Sequence, residues 1–162
     1  MRRRDREITD QAELEAILRT ARICRLAMWD GEWPYIVPLC FGYREGILYF
    51  HCAHEGKKIA ILKKNNRVSF SIDIDTEVAR GDSPCRWSMK YRSITGLGEV
   101  WFLEAPLAKE AALRVIMDQY EEGQAAFSEE QLAAVTVFQL QITEMTGKKS
   151  GYQAGIQATP SL

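Results

Sequence analysis

Residues with chemically useful side chains follow directly on a strand-forming run in the segment ILYFHCAHEGKK. His51, Cys52 and His54 could ligate a metal ion, whereas Gly56 and the two lysines after it could bind an anion at the start of a helix. The third interpretation is an ordinary solvated turn. Most of what the sequence indicates about function depends on which of the three applies.

A metal centre is the least favourable of these interpretations. If the strand continues through His51 and Cys52, their side chains point to opposite faces. Zinc needs three or four protein ligands, and His51 and His54 are the only histidines in the chain. We therefore predict no metal site, and we expect His54 to face solvent.

An anion site has a better physical basis. Gly56, Lys57 and Lys58 stand where a strand ends and the helical segment KKIAILKK begins. A helix start presents unpaired amides and the positive end of the helix dipole, which favour phosphate. Lysines in the first turn oppose that dipole, so their presence is easier to explain if a bound anion offsets the repulsion. On this pattern alone, lysines that simply extend into water remain the alternative.

The elements before this segment are a helix and three short strands. Asp10 can cap the helix, with Glu13 three residues on, and apolar residues then recur at helical spacing. ICRLAMW, YIVPLCFGY and ILYF alternate with the turn signals DGEWP and REG, which indicates antiparallel neighbours. Pro38 cannot donate to a ladder, so we expect its amide side to face a sheet edge, a bulge or a ligand.

The second half of the chain adds strands and helices in the same style. RVSFSIDID alternates strictly between apolar and polar residues, which predicts a strand, and residues 76–86 are predicted as a loop. WSMKYRSITGLGEVWFLE is predicted as a long strand in which Gly96 and Gly98 mark a bend or bulge. A helix from Pro106 to Gly123, a capped helical turn that starts at Ser128 and a last strand, AVTVFQLQITEM, complete the prediction. Six or so mostly antiparallel strands predict a mainly β fold, a small barrel with peripheral helices. The whole chain, 1–162, is expected to be one domain, with a basic arm at 1–7 and a tail at 148–162 that can be flexible.

Composition narrows the function classes. The 162-residue chain is 46% hydrophobic and 27% charged with a net charge of −1, so we expect no nucleic-acid partner. No apolar run approaches the roughly 20 residues that span a bilayer, and no apolar signal segment follows the basic N-terminus. Four cysteines without a CxxC pair are expected to be reduced. The expected location is cytoplasmic, without membrane contact.

Several blocks in a fixed order resemble a known family. PYIVPLCFGY, ILYFHCAHEGKK, ILKKNNRVSFSID, MKYRSITGLGEV and ITEMTGKKS look like the pyridoxamine 5′-phosphate oxidase-like flavin-binding split barrels, nearest the branch of the 5-nitroimidazole resistance proteins. The likeness runs over nearly the whole chain. The oxidase's C-terminal Trp and Arg for substrate phosphate find no match in GYQAGIQATPSL, so pyridoxamine phosphate oxidase activity itself is not expected.

The resemblance implies a six-stranded split barrel that forms a homodimer, with one FMN in each of two clefts at the interface. The cofactor-binding residues it implies are Tyr35, Val37, Pro38 and Leu39 along the flavin ring, His51, Cys52 and Ala53 at the end of the third strand, Gly56, Lys57 and Lys58 at the phosphate, and Ser93 against the flavin. On this resemblance, the segment ILYFHCAHEGKK forms the phosphate end of a flavin site.

His51 is also the one catalytic residue that the resemblance implies. A neutral imidazole beside a flavin could relay a proton to a reduced nitro group, and its alternative role is to fix strand and loop geometry. The expected activity is that of an FMN-dependent oxidoreductase acting on a small oxidised molecule such as a nitroimidazole. A flavin-binding carrier or sensor without turnover, or a haem-binding split barrel, remains the alternative.

Overall fold

The computed structural model describes residues 3–121, 123 and 126–152, which form eight strands and four α-helices. In chain order these are β1 Glu7–Ile8, α1 Gln11–Thr20, β2 Cys24–Trp29, β3 Pro34–Leu39, β4 Gly42–Arg44, β5 Ile47–Cys52, α2 Lys57–Lys64, β6 Arg67–Ala79, β7 Ser88–Leu103, α3 Pro106–Asp118, α4 Glu129–Ala133 and β8 Thr136–Ser150. Short 3₁₀ turns lie at Arg4–Arg6 and Pro84–Arg86.

All the strands form one antiparallel sheet in the order β3-β2-β6-β7-β8-β5-β4, with β1 beside β8. The mainly β fold with peripheral helices is confirmed, but the strand count is eight where six were predicted. The predicted strand YIVPLCFGY is divided into β3 and β4, because the Phe41 amide donates to the hydroxyl of Tyr120 instead of to a neighbouring strand. The two-residue β1 is the other addition.

The core lies on the inner face of this curved sheet and follows the predicted alternation. On β6, Val68, Phe70 and Ile72 are buried while the residues between them are more exposed. The ring of Phe50 stacks on that of Phe138 with a centroid distance of 5.1 Å. Period-two burial of large apolar side chains on successive strands therefore holds the barrel together.

The predicted irregularity at Gly96 and Gly98 is confirmed. The register of β7 against β8 shifts between Leu97 and Gly98, where Thr143 is the extra residue on β8. A Cβ at Gly96 would strike the ring of Phe70. Glycine is needed there because the sheet bends closely over its own core.

Two strand boundaries differ from prediction. The segment 76–86 was predicted as a loop, but β6 continues to Ala79 past a bulge at which Asp75 has a φ of 53°. β8 continues to Ser150 into the predicted tail, where it pairs with β7 and where Lys149 forms an ion pair of 2.9 Å with the largely buried Glu13 of α1. Residues 1–2 of the predicted arm and 153–162 of the predicted tail lie outside the described residues.

The predicted starts of α1, α3 and α4 are confirmed, but the predicted end of α3 is not. The Asp10 side chain caps α1 by accepting from the Ala12 amide, α3 begins at Pro106, and Ser128 and Gln131 form a capping box on α4. α3 ends at Asp118, before Gly123. Within the described ranges, no helix is both long and apolar enough to cross a membrane.

Candidate functional site

The junction between β5 and α2 presents backbone amides without a side-chain cap. Residues 53–56 make the turn, and Gly56 occupies the N-cap position with φ 129° and ψ 167°. A residue with a side chain rarely adopts that φ, so glycine suits this turn. No side chain caps the first turn of α2 in the described structure, and its free amides are available to an anion.

The side chain of Lys57 interacts with other residues of the same chain. Its Nζ lies 2.7 Å from Oδ2 of Asp30 and 4.9 Å from the ring centroid of Tyr35. Asp30 also accepts the amides of Glu32 and Trp33 through Oδ1, at 2.9 and 2.6 Å. The hydrogen bond from Lys57, followed by those two amides, holds the pKa of Asp30 well below its ordinary value. Lys57 therefore ties the start of α2 to the turn between β2 and β3.

Lys58 lies close enough to the end of β5 for its charge to act on His51 and Cys52. It is half-buried and makes no ion pair with any described residue. Partial burial lowers the pKa of His51, and the nearby charge of Lys58 lowers it further. The two adjacent lysines thus differ in environment, and Lys58 is the one whose charge is left for a ligand.

His51 and Cys52 end β5 beside Val137 and Thr136 of β8. His51 is only partly exposed, and its lowered pKa keeps the ring neutral at neutral pH. Cys52 packs partly against the core, and burial raises the pKa of its thiol. His51 can accept or donate a proton at the surface, whereas the Cys52 thiol is held in its protonated form.

His54 is exposed, as expected, but it is not free. Its Nε2 lies 2.7 Å from the carbonyl oxygen of Ala133, to which it donates, and its Nδ1 lies 3.0 Å from Oγ1 of Thr136. The imidazole therefore anchors the turn 53–56 to the start of β8. Over the described ranges, no group of three or more His, Cys, Asp or Glu side chains is placed to hold a metal ion.

β3 lies at the edge of the sheet, so Pro38 sits at an edge as predicted. Tyr35, Val37 and Leu39 are half-buried against the core, whereas Ile36 and Pro38 face outwards. Among the described strands, β3 is paired only with β2, and its other side presents open backbone groups. The open edge begins beside Lys57, because the ammonium of Lys57 lies over the ring of Tyr35 near the start of β3.

Ser93 is not brought to this junction within one chain. It lies on β7, three strands from β3 in the sheet and so about 14 Å away across it. Its hydroxyl donates a long hydrogen bond of 3.5 Å to the carbonyl oxygen of Lys148. Of the residues indicated by the sequence, Tyr35, Lys57, Lys58 and His51 lie around the start of α2, with Cys52, Ala53 and Gly56 between them.

Asp30 is a residue of the candidate site that the sequence analysis did not identify. The DGEWP turn was recognised, but nothing local indicates that Asp30 pairs with Lys57 of α2. An Asp that opens a tight turn usually bonds to the next backbone amides, which would have been the available signal.

Sequence and structure comparisons agree on the relatives of this chain. Residues 10–149 match the family described as pyridoxamine 5′-phosphate oxidase. No curated protein matches the sequence. The crystal structure of a candidate 5-nitroimidazole antibiotic resistance protein from Bacteroides thetaiotaomicron matches with a TM-score of 0.80 and 33% identity, over 88% of this chain and 86% of that one.

Two further solved structures share the fold. An FAD-binding protein from Mesorhizobium loti matches with a TM-score of 0.66 and 25% identity, over 90% of this chain and 98% of that one. An FAD and heme binding protein from Mycobacterium smegmatis matches with a TM-score of 0.82 and 23% identity, over 91% of this chain and 74% of that one.

Proposed function

This chain belongs to the pyridoxamine 5′-phosphate oxidase family, and we propose that it is a flavoprotein oxidoreductase that binds FMN and reduces a small oxidised molecule such as a nitroimidazole. The observation that carries the proposal is the uncapped start of α2 beside the unpaired charge of Lys58, next to the open edge of β3. The likeness to the candidate nitroimidazole resistance protein supports the substrate class.

The residues at the junction fit a flavin mononucleotide. The first-turn amides of α2 and the Lys58 ammonium are donors for a phosphate, and charge-assisted bonds of this kind are about twice as strong as neutral ones. The open edge of β3 offers backbone donors and acceptors to a ring edge, and Pro38 leaves one position without a donor. Tyr35, Val37 and Leu39 brace that edge from the core side.

A bound flavin supplies electron transfer between a reductant and the small oxidised molecule. The chain's own contribution to the chemistry is then a proton. The His51 ring is partly exposed at the end of β5 and stays neutral near neutral pH, because partial desolvation and the charge of Lys58 lower its pKa. A neutral imidazole can relay a proton to the product as it is reduced, because one ring nitrogen takes a proton from water while the other gives up its own.

We propose a homodimer as the working form. Support comes from the outer face of the sheet, where Ile36, Ala27, Ser69 and Leu97 follow one another across adjacent strands. Ile36 is 59% exposed and Leu97 49% exposed, and exposed apolar side chains on one continuous face are typical of an interaction surface. A pocket built from two chains would take its Ser93 from the second copy.

A cytoplasmic location is part of the same proposal. Four free cysteines support it, two of which, Cys40 and Cys85, are exposed. Exposed thiols persist in a reducing compartment and are easily oxidised outside one.

The experiment that tests the function has two stages. The flavin released from the purified protein on denaturation is identified by chromatography, and FMN is expected. The FMN-loaded protein is then reduced with NADH or NADPH in a stopped-flow instrument and reoxidised with a nitroimidazole. Flavin that stays oxidised with every donor, or reduced flavin that ignores the nitro compound, would favour the carrier or sensor. Protein that takes up no flavin would refute the proposal.

A further inference from the structure

A groove of about 310 Å³ is lined by Lys57 but by neither His51 nor Lys58, and the proposed flavin site leaves it unused. It runs between one face of α2 and the turn after β2. Its lining residues are Trp29, Asp30, Gly31, Lys57, Ala60, Ile61, Lys64 and Asn65. Lys57 and Lys64 mark the two ends, about 10 Å apart along the helix axis.

The groove has an aromatic wall and a small floor. The indole of Trp29 is 51% exposed beside it, an apolar area with no partner in the described chain. Ala60 lies between the two lysines on the same face of α2, so no long side chain fills the space above it. On the turn side, Gly31 has open space around it. A flat ring can therefore lie against the indole.

The polar groups of the groove favour an anion and a heteroaromatic edge. Asp30 is the only carboxylate among the described lining residues, and its charge is already matched by Lys57 and two amides. Lys64 makes no ion pair with the described residues. The amide of Asn65 accepts from the Arg67 backbone N–H and keeps its NH₂ group free, which suits the acceptor and donor edge of adenine.

We propose that this groove is a subsite for an adenosine 5′-phosphate moiety. The base stacks on Trp29 and bonds to Asn65, and the phosphate lies against Lys64. The inference rests on the proposed function, because it places the groove next to bound FMN. Two dinucleotides carry this moiety: a dihydronicotinamide reductant and a dinucleotide flavin.

The test uses the FMN-loaded protein and 5′-AMP as the probe. Binding of AMP is measured by calorimetry and by quenching of Trp fluorescence, and we expect saturable binding. Loss of a base–aromatic stack corresponds to roughly a 5- to 150-fold weaker affinity. Trp29→Ala should therefore weaken AMP binding by a factor within that range, and Trp29→Phe should restore most of the lost affinity. FMN affinity is expected to stay unchanged in both variants.

The matched control for charge is the neighbouring lysine. Lys64→Ala should weaken AMP several-fold, whereas Lys63→Ala removes the same charge from an exposed position that does not line the groove, and should leave AMP unaffected. Equal loss in both lysine variants, or no AMP binding at millimolar concentration to protein that holds FMN, would overturn the subsite while leaving the proposed function intact. AMP binding to protein that takes up no FMN would uphold the subsite and refute the function.

Two further measurements separate the sources of the moiety. If a nicotinamide reductant occupies the groove, AMP should raise the KM for NADH or NADPH without changing kcat, and Lys64→Ala should raise the same KM. If a dinucleotide flavin occupies it, FAD should bind more tightly than FMN and AMP should compete only with FAD. The proposal would be contradicted if AMP changed neither the KM for NADH or NADPH nor the affinity for FAD.

Discussion

The ammonium of Lys57 lies 2.7 Å from Oδ2 of Asp30, so the first residue of α2 is bound to the turn between β2 and β3. The charge of Lys58, the next residue, acts on His51 instead and lowers its pKa. The sequence presents the two lysines as equivalent, but the structure gives them different roles: Lys57 positions the site, and Lys58 is available to a ligand.

Single substitutions should separate these roles. Lys58→Ala is expected to weaken FMN roughly 10- to 150-fold, because a charge-assisted bond contributes about 1.5–3 kcal/mol, and to leave riboflavin unchanged. Lys57→Ala should weaken FMN and riboflavin by the same factor, because it releases the turn beside Tyr35. Titration of apoprotein with each flavin, followed by fluorescence, gives both affinities. A phosphate-selective loss in Lys57→Ala would reverse the assignment.

The pair should also produce a stability change in acid. Asp30 has a lowered pKa in the fold, so its contribution is fully present above the ordinary Asp value of 3.8 and is lost as the pH falls towards the lowered value. The difference in urea midpoint between the wild type and Asp30→Asn should therefore shrink as the pH falls below 3.8. Asp118→Asn, at an exposed pair of 3.8 Å with Arg44, is the control and should show little difference at any pH.

Tyr120 is expected to hold the chain in place between β3 and β4. Its hydroxyl accepts from the Phe41 amide at 2.9 Å and donates to the Arg22 carbonyl at 2.7 Å. Tyr120→Phe leaves the part-buried amide without a partner and should cost about 1–3 kcal/mol in urea unfolding. Tyr91→Phe is the matched control, since that hydroxyl makes no hydrogen bond in the described structure, and it should change stability by less than about 0.5 kcal/mol. Equal costs would show that the hydroxyl of Tyr120 contributes nothing specific.

Local rules explain which features the sequence could predict. The alternation on β6, the glycines at the bend of β7 and the edge position of Pro38 all follow from neighbours in the chain or from the backbone itself. The missed features join distant segments. The last residues of β8 pair with β7 while Lys149 pairs with Glu13, and Tyr120 divides the predicted second strand by bonding to Phe41. Partners so far apart in sequence leave no periodic signal, so only the folded chain shows them.

The proposed dimer predicts that a charge on the outer face of the sheet will separate the subunits. Leu97→Asp places a carboxylate in the outward-facing row formed by Ile36, Ala27, Ser69 and Leu97, and should raise the dimer dissociation constant about tenfold or more, measured by sedimentation or light scattering. Leu107→Asp is the control, because Leu107 is 81% exposed on α3, away from that row. A wild-type protein with the mass of a monomer and fully bound FMN would exclude a dimer-built site.

His51 should supply a proton without holding the flavin. In FMN-loaded His51→Ala, single-turnover reoxidation by a nitroimidazole is expected to slow by about 10²- to 10⁴-fold, the usual size of a proton-transfer contribution, with FMN affinity unchanged. The charge of Lys58 helps to lower the His51 pKa, so Lys58→Gln in protein saturated with FMN should raise that pKa and move the pH profile of reoxidation to higher pH. A residue that only fixes strand geometry would not move the profile. Reoxidation of His51→Ala at the wild-type rate would remove His51 from the mechanism.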